Sequence, residues 1–250
     1  MNVFMKLLLL SAFMALTGGA VTFAHEGYFY PSQWNYRLTV HVQTPQGEVT
    51  GSAVRGVIYT RNFFQEFFLS DVLPGANSIT IDSVGEAVVI DLPAKGKIFA
   101  LISDRSYSEL FSSYRFKPIS EDAHLDEQFE HYNNLPQGQT KSLPIIKWPK
   151  IVWFEEIDDP MSLKLVHATT ESSGNKIEWI HVDHAAELFG AGYAVTDITI
   201  EITDDDVTYG KVEKALSWLH GLNGNYINGK ATSAGAPYGL YSGNFVRREK

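Results

Sequence analysis

Gly85-Glu-Ala-Val-Val-Ile-Asp-Leu-Pro-Ala-Lys-Gly-Lys-Ile-Phe-Ala-Leu-Ile-Ser103 contains two short apolar runs that are separated by Pro93-Ala-Lys-Gly96. Proline and glycine favour the backbone angles of a tight turn, so this stretch predicts a β-hairpin. Both runs are apolar at successive positions, which is typical of strands that are buried on both faces. We therefore expect the two strands to lie in the centre of their sheet.

Four other stretches predict strands around this hairpin. Residues 36–42 alternate apolar and polar side chains, and a Pro45-Gln-Gly47 turn separates them from the β-rich residues 52–59. Residues 151–154 are another candidate strand, and in residues 196–203 three isoleucines alternate with polar residues. A period of two places the apolar side chains on one face of a half-buried strand.

Two short helices are predicted in the second half of the chain. Residues 184–189 follow Asp183, a favourable N-cap, and precede Gly190, a favourable helix end. Residues 210–220 have apolar side chains at helical spacing. The preceding carboxylates of residues 204–206 are expected to cap the free amides of that second helix.

These elements predict an α+β fold, mainly antiparallel β-sheet with a few short helices. Residues 25–250 are long enough to bury a sizeable core, and we expect them to form a single domain. From about residue 221 the chain is rich in glycine, asparagine and tyrosine, a composition that predicts loops and one late strand.

Residues 1–24 have the pattern of a secretory signal peptide. Lys6 precedes an apolar run at residues 7–16, and small residues follow it up to Ala24. The run is about half of the roughly 20 residues that span a bilayer, so we expect cleavage, after Ala20 or Ala24, rather than retention. The sequence therefore predicts an exported protein of the periplasm, with release outside the cell as the alternative.

The composition restricts the partners and the chemistry. The chain has no cysteine, which excludes disulfides and a lipid-modified N-terminal cysteine. Its net charge of -9 is unfavourable for general attraction to nucleic acid. No second apolar segment has the length of a membrane anchor, so we expect a soluble mature protein.

Residues 36–219 resemble a family of bacterial proteins of unknown function, many of them exported. The likeness lies in Arg37-Leu-Thr-Val-His-Val-Gln-Thr-Pro-Gln-Gly47, in residues 85–92, and in Ile202-Thr-Asp-Asp205 with Leu216-Ser-Trp-Leu219. The resemblance supports the predicted architecture and implies no activity.

His181-Val-Asp-His184 is the densest group of potential metal ligands. Imidazole and carboxylate groups at His181, Asp183 and His184 are of the type that binds zinc and other transition metals. The alternative is that Asp183 only caps the helix that follows it. No motif of a nucleophilic serine, a catalytic cysteine or a phosphate-binding loop is present, and we expect no cofactor.

Aromatic residues are concentrated near both ends of the predicted mature chain. In polar, glycine-containing segments such residues often contact partner proteins. The alternative is that they fix the two ends of the chain onto the sheet. The candidate contact residues are Tyr28, Tyr30, Trp34, Tyr226, Tyr238 and Tyr241.

The sequence therefore favours a non-catalytic binding or interaction module. Its expected partner is a periplasmic or envelope protein, and an inhibitor or immunity protein that blocks an envelope-acting enzyme fits this description. Two alternatives remain, a hydrolase that acts on an envelope substrate and a metal-dependent binding protein. A hydrolase requires a pocket with converging ionisable groups, whereas an interaction module requires an exposed apolar and aromatic patch.

Overall fold

The computed structural model describes residues 29–62, 79–103, 106–117, 125–172, 178–222, 226–227 and 240–249. The predicted signal peptide lies outside these residues. The chain divides into two compact units, residues 1–33 with 58–82 and residues 34–57 with 83–250. The described part of the first unit, residues 29–33, 58–62 and 79–82, is all β-strand. The single-domain organisation stays a prediction.

The described residues form eleven strands in two sheets. One sheet has the order β11-β3-β2-β1-β10-β6, and the other has the order β4-β5-β7-β8-β9. The strands are β1 (Phe29–Thr44), β2 (Gly47–Asn62), β3 (Ile79–Glu86), β4 (Val88–Leu92), β5 (Gly96–Ala100), β6 (Thr140–Ser142), β7 (Ile151–Phe154), β8 (Leu163–Ser172), β9 (Glu178–Asp183), β10 (Ala194–Ile202) and β11 (Val246–Arg247).

Short helices connect these strands. Four 3-10 helices complete the described structure, three of a single turn at Ile145–Lys147, Pro160–Ser162 and Ser242–Asn244 and one of two turns at Ser217–Leu222. The α-helices are α1 (Tyr107–Ser113), α2 (Leu125–Asn133), α3 (Ala185–Phe189) and α4 (Lys211–Ala215). The predicted fold class, mainly antiparallel sheet with a few short helices, is therefore confirmed.

The hairpin that the sequence predicts most clearly is formed by β4 and β5. Leu92 pairs with Gly96 and Val88 pairs with Ala100, so the turn lies where proline and glycine place it. The prediction that both strands are central is wrong for β4, which lies at the edge of its sheet among the strands that the structure describes. Val88 is fully buried on one face, while Val89 packs against a core cluster on the other. The apolar pattern of β4 is therefore explained by burial of both faces of the strand and does not require a paired strand at both of its edges.

One core cluster lies between β5 and β7 and the C-terminal elements. The predicted helix of residues 210–220 is α4 followed by a 3-10 turn, and its apolar stripe packs onto the sheet. Phe245 in the tail is fully buried, at 6.1 Å from the ring of Phe99. The tail therefore contributes Phe245 to the core, and it also forms the predicted late strand, β11. The cluster contains Ala87, Phe99, Leu101, Val152, Phe154, Val212, Leu216, Leu219, Ile227, Leu240 and Phe245.

Gly51 lies where β2 passes directly over β4. A Cβ atom at this position would overlap the carbonyl oxygen of Val89 and lie 2.8 Å from Cγ1 of Ile90. We expect Gly51→Ala to lower the free energy of unfolding by about 1–3 kcal/mol, because the backbone of β4 must move. Urea denaturation measures this loss.

Gly221→Ala is the matched control, since no atom lies within 4 Å of its added Cβ. Its stability should change by less than about 1 kcal/mol. Equal stabilities of the two alanine variants would contradict the close approach of β2 and β4.

Candidate functional site

The three candidate metal ligands lie at the end of β9 and the start of α3. Asp183 accepts a hydrogen bond from the amide of Ala185, the first residue of α3, at 2.9 Å, although the N-cap residue is His184 and not Asp183 as the alternative interpretation expects. Nδ1 of His184 lies 2.8 Å from a carboxylate oxygen of Glu187. Within the described ranges, no three His, Asp or Glu side chains are arranged to hold a metal ion together.

His181 has a neighbour that the sequence did not identify. In the antiparallel pair of β8 and β9, His167 lies opposite Asp183, and Thr169 lies opposite His181. This register brings the His167 and His181 rings to a centroid separation of 4.6 Å. Two imidazoles from different strands therefore lie side by side, and only the strand register places them there.

Trp148 covers this histidine pair. Its ring centroid lies 5.2 Å from that of His167 and 6.3 Å from that of His181. The indole Nε1 donates a hydrogen bond to the carbonyl of Leu143 at 2.8 Å, which fixes the orientation of the ring. His167 is completely buried beneath it, whereas His181 is exposed to solvent.

The environment of His167 keeps its imidazole neutral. Burial, followed by the charge of a protonated His181, lowers the pKa of His167 from 6.5 to about 4, although Asp183 acts in the opposite direction. Both ring nitrogens of His167 are buried without a hydrogen-bond partner among the described residues. The side chain therefore combines a neutral charge state with two unused polar atoms.

An apolar surface continues from Trp148 along the preceding 3-10 turn. Ile145 and Ile146 are 43% and 42% exposed, and Pro144 beside them is also exposed. The hydroxyl of Thr169 in β8 donates a hydrogen bond to the carbonyl of Ile145 at 3.1 Å, which holds the turn against the sheet. We call Pro144, Ile145, Ile146 and Trp148 the isoleucine shelf.

The shelf is distinctive among the exposed apolar side chains. Among the exposed large hydrophobic residues of the described structure there is only one pair of sequence neighbours, Ile145 and Ile146, and both belong to the shelf. The others are Met161, Tyr209 and Tyr226. Isolated exposed apolar residues are ordinary, whereas adjacent ones form a patch that water solvates poorly.

A second cluster of ionisable groups is closed to solvent. It consists of Arg55, Glu109 and Tyr36, whose side chains are all buried. Arg55 donates hydrogen bonds to both carboxylate oxygens of Glu109, at 3.1 and 3.0 Å. The hydroxyl of Tyr36 donates to Glu109 at 2.7 Å, and burial followed by the charge of Glu109 raises the Tyr36 pKa well above its usual value. Burial also raises the pKa of Glu109, although Arg55 opposes this effect. We therefore assign this buried cluster a role in stabilising the folded protein.

An open groove of about 300 Å³ near the C-terminus contains residue types that a hydrolase uses. Ser242, His220 and Glu213 all line it. However, Arg248 holds both carboxylate oxygens of Glu213, at 3.0 and 2.8 Å, and His220 lies 3.7 Å from Glu213. In this part of the described chain no hydrogen bond joins Ser242 to His220, so the groove lacks the nucleophile–base contact of a serine hydrolase.

The candidate aromatic contact residues have different surroundings. Trp34 is 8% exposed and packs 5.2 Å from the ring of Tyr132, so it fixes β1 onto α2. Tyr226 is 48% exposed and contacts the half-buried Tyr241 edge to face at 6.3 Å. Tyr28 and Tyr238 and the side chain of Tyr30 lie outside the described part of the structure.

Comparison with protein-family models, curated proteins and solved structures found no match to this chain. Of the helices in the described residues, none is long and apolar enough to span a bilayer.

Proposed function

We propose that this protein is a non-catalytic binding module of the periplasm, and that it binds another envelope protein through the isoleucine shelf. The observation that carries this proposal is the exposure of Ile145 and Ile146 side by side next to Trp148. Contiguous apolar surface on a soluble protein is typical of a protein contact site, and tryptophan is enriched at the centre of such sites.

The position of the shelf also suits a contact with a protein. The turn is short and is held to β8 by the Thr169 hydrogen bond, so little backbone ordering is needed on binding. Residues 140–150 contain three lysines and no acidic residue, although the whole chain has a net charge of -9. A partner with an apolar contact residue and an acidic rim complements this surface.

The test is a crosslinked pull-down of the tagged mature protein from an envelope extract of the source cells, with partners identified by mass spectrometry. We expect a protein partner that the wild type recovers and that Ile145→Asp/Ile146→Asp loses by at least about tenfold. The reason is that two carboxylates must be desolvated in an apolar contact. Circular dichroism establishes that the double variant is folded.

Met161→Asp is the matched control, because Met161 is 67% exposed and lies on a different turn. It should recover the same partner as the wild type. The proposal is wrong if no protein is enriched over a tagged control, or if the shelf variant and the Met161 variant retain the partner equally.

A further inference from the structure

His167 is the least satisfied polar side chain beside the shelf. It is completely buried, and neither Nδ1 nor Nε2 has a hydrogen-bond partner among the described residues. Leaving a buried polar group unpaired costs about 1–3 kcal/mol, so native proteins rarely keep one without a role. An aliphatic side chain at this position of β8 would avoid that cost. The imidazole therefore points to a ligand that uses its nitrogen.

The second imidazole is placed to share that ligand. The His167 and His181 rings are 4.6 Å apart between centroids and are inclined by 58° to each other. This separation is in the range for two imidazoles that bind one ion at the roughly 2.0–2.1 Å of an imidazole–metal bond. His181 is exposed and opens the site to solvent, while Trp148 closes the side above His167. We propose that His167 and His181 form a two-histidine site for a divalent transition metal ion.

Copper(II) is the ion that fits this donor set best. The chain has no cysteine, and no third His, Asp or Glu side chain joins the pair within the described ranges. A closed tetrahedral zinc site takes four protein ligands, whereas tetragonal copper(II) accepts two imidazoles and completes its shell with water. Copper(II) also binds nitrogen donors more tightly than the other divalent ions of its row.

The sequence pattern identified only one of the two histidines of this site. The pattern His181-Val-Asp-His184 identified His181, but it paired that residue with His184, which instead contacts Glu187. Asp183 is likewise engaged by the amide of Ala185. The partner of His181 comes from the neighbouring strand, and this inference does not depend on the shelf having a protein partner.

Copper(II) titration of the purified protein tests the site directly. The protein carries His25→Asn, because cleavage after Ala24 would otherwise leave a terminal histidine that binds copper by itself. We expect one tight equivalent of copper, with nitrogen hyperfine structure from two imidazoles in the electron paramagnetic resonance spectrum. His181→Asn should weaken binding by at least about tenfold and remove one nitrogen, at unchanged circular dichroism.

His184→Asn is the control, since His184 is only three residues away but contacts Glu187. This variant should bind copper with the same affinity and the same spectrum as its parent, the protein that carries only His25→Asn. The proposal is overturned if His181→Asn binds copper as tightly as its parent. It is equally overturned if copper distributes over several weak sites without a two-nitrogen spectrum.

Discussion

Replacing Arg55 with methionine is expected to lower the free energy of unfolding by about 3–5 kcal/mol, the range for breaking a buried ion pair. Arg55 is fully buried, and besides both oxygens of Glu109 it donates to the carbonyls of Ala100, Leu101 and Glu86 at 2.8, 3.3 and 3.2 Å. Methionine fills much of the volume but leaves the Glu109 carboxylate without its counter-charge. Urea denaturation near neutral pH measures the loss.

Arg37→Met provides the comparison, because the Arg37–Asp205 pair is exposed, with 31% and 56% of the two side chains accessible. We expect this variant to lose less than about 1 kcal/mol. The double variant Arg55→Met/Glu109→Leu should lose less than the sum of the two single losses, since the groups share one network. Equal losses in Arg55→Met and Arg37→Met would show that the buried pair does not stabilise the fold as described.

Local patterns in the sequence were sufficient to identify most strands. The predicted strand at residues 151–154 is β7, and residues 196–203 correspond closely to β10 (Ala194–Ile202). Alternation and turn residues act over a few positions, so they can be read without the rest of the chain. The position of each strand in its sheet depends on distant partners, and the edge position of β4 was therefore missed.

The capping of α4 also depends on a residue that is distant in the sequence. The carboxylates of residues 204–206 were expected to cap this helix, but Asp205 instead pairs with Arg37. The amide of Val212 donates to the buried side chain of Glu86, at 3.1 Å. A carboxylate from β3 thus satisfies the helix terminus, and sequence proximity gave no indication of it.

The candidate site was predicted incompletely for a related reason. A sequence pattern can place His181 on a strand, but it cannot supply the register that brings His167 beside it. That register is set by the antiparallel pairing of β8 with β9, which runs from His167 opposite Asp183 to Ser172 opposite Glu178. The exposure of Ile145 and Ile146 could not be predicted from the sequence either, because apolar residues in a short run usually indicate a buried core segment.

The metal-free protein should lose up to about 3 kcal/mol of stability through His167 as the pH falls from about 6.5 to about 4. Burial lowers the pKa of His167 in the folded protein from 6.5 to about 4, with His181 adding to this effect and Asp183 opposing it. The unfolded chain therefore takes up the proton first. The contribution is complete above about pH 6.5 and is lost progressively below it.

Urea denaturation of the chelator-treated protein at several pH values, compared with His167→Phe, isolates this contribution from that of the carboxylates. Phenylalanine keeps an aromatic ring against Trp148 but has no group to protonate, so the stability of the variant should fall less steeply below about pH 6.5. Parallel curves for the wild type and His167→Phe would mean that the buried imidazole does not titrate as its surroundings require.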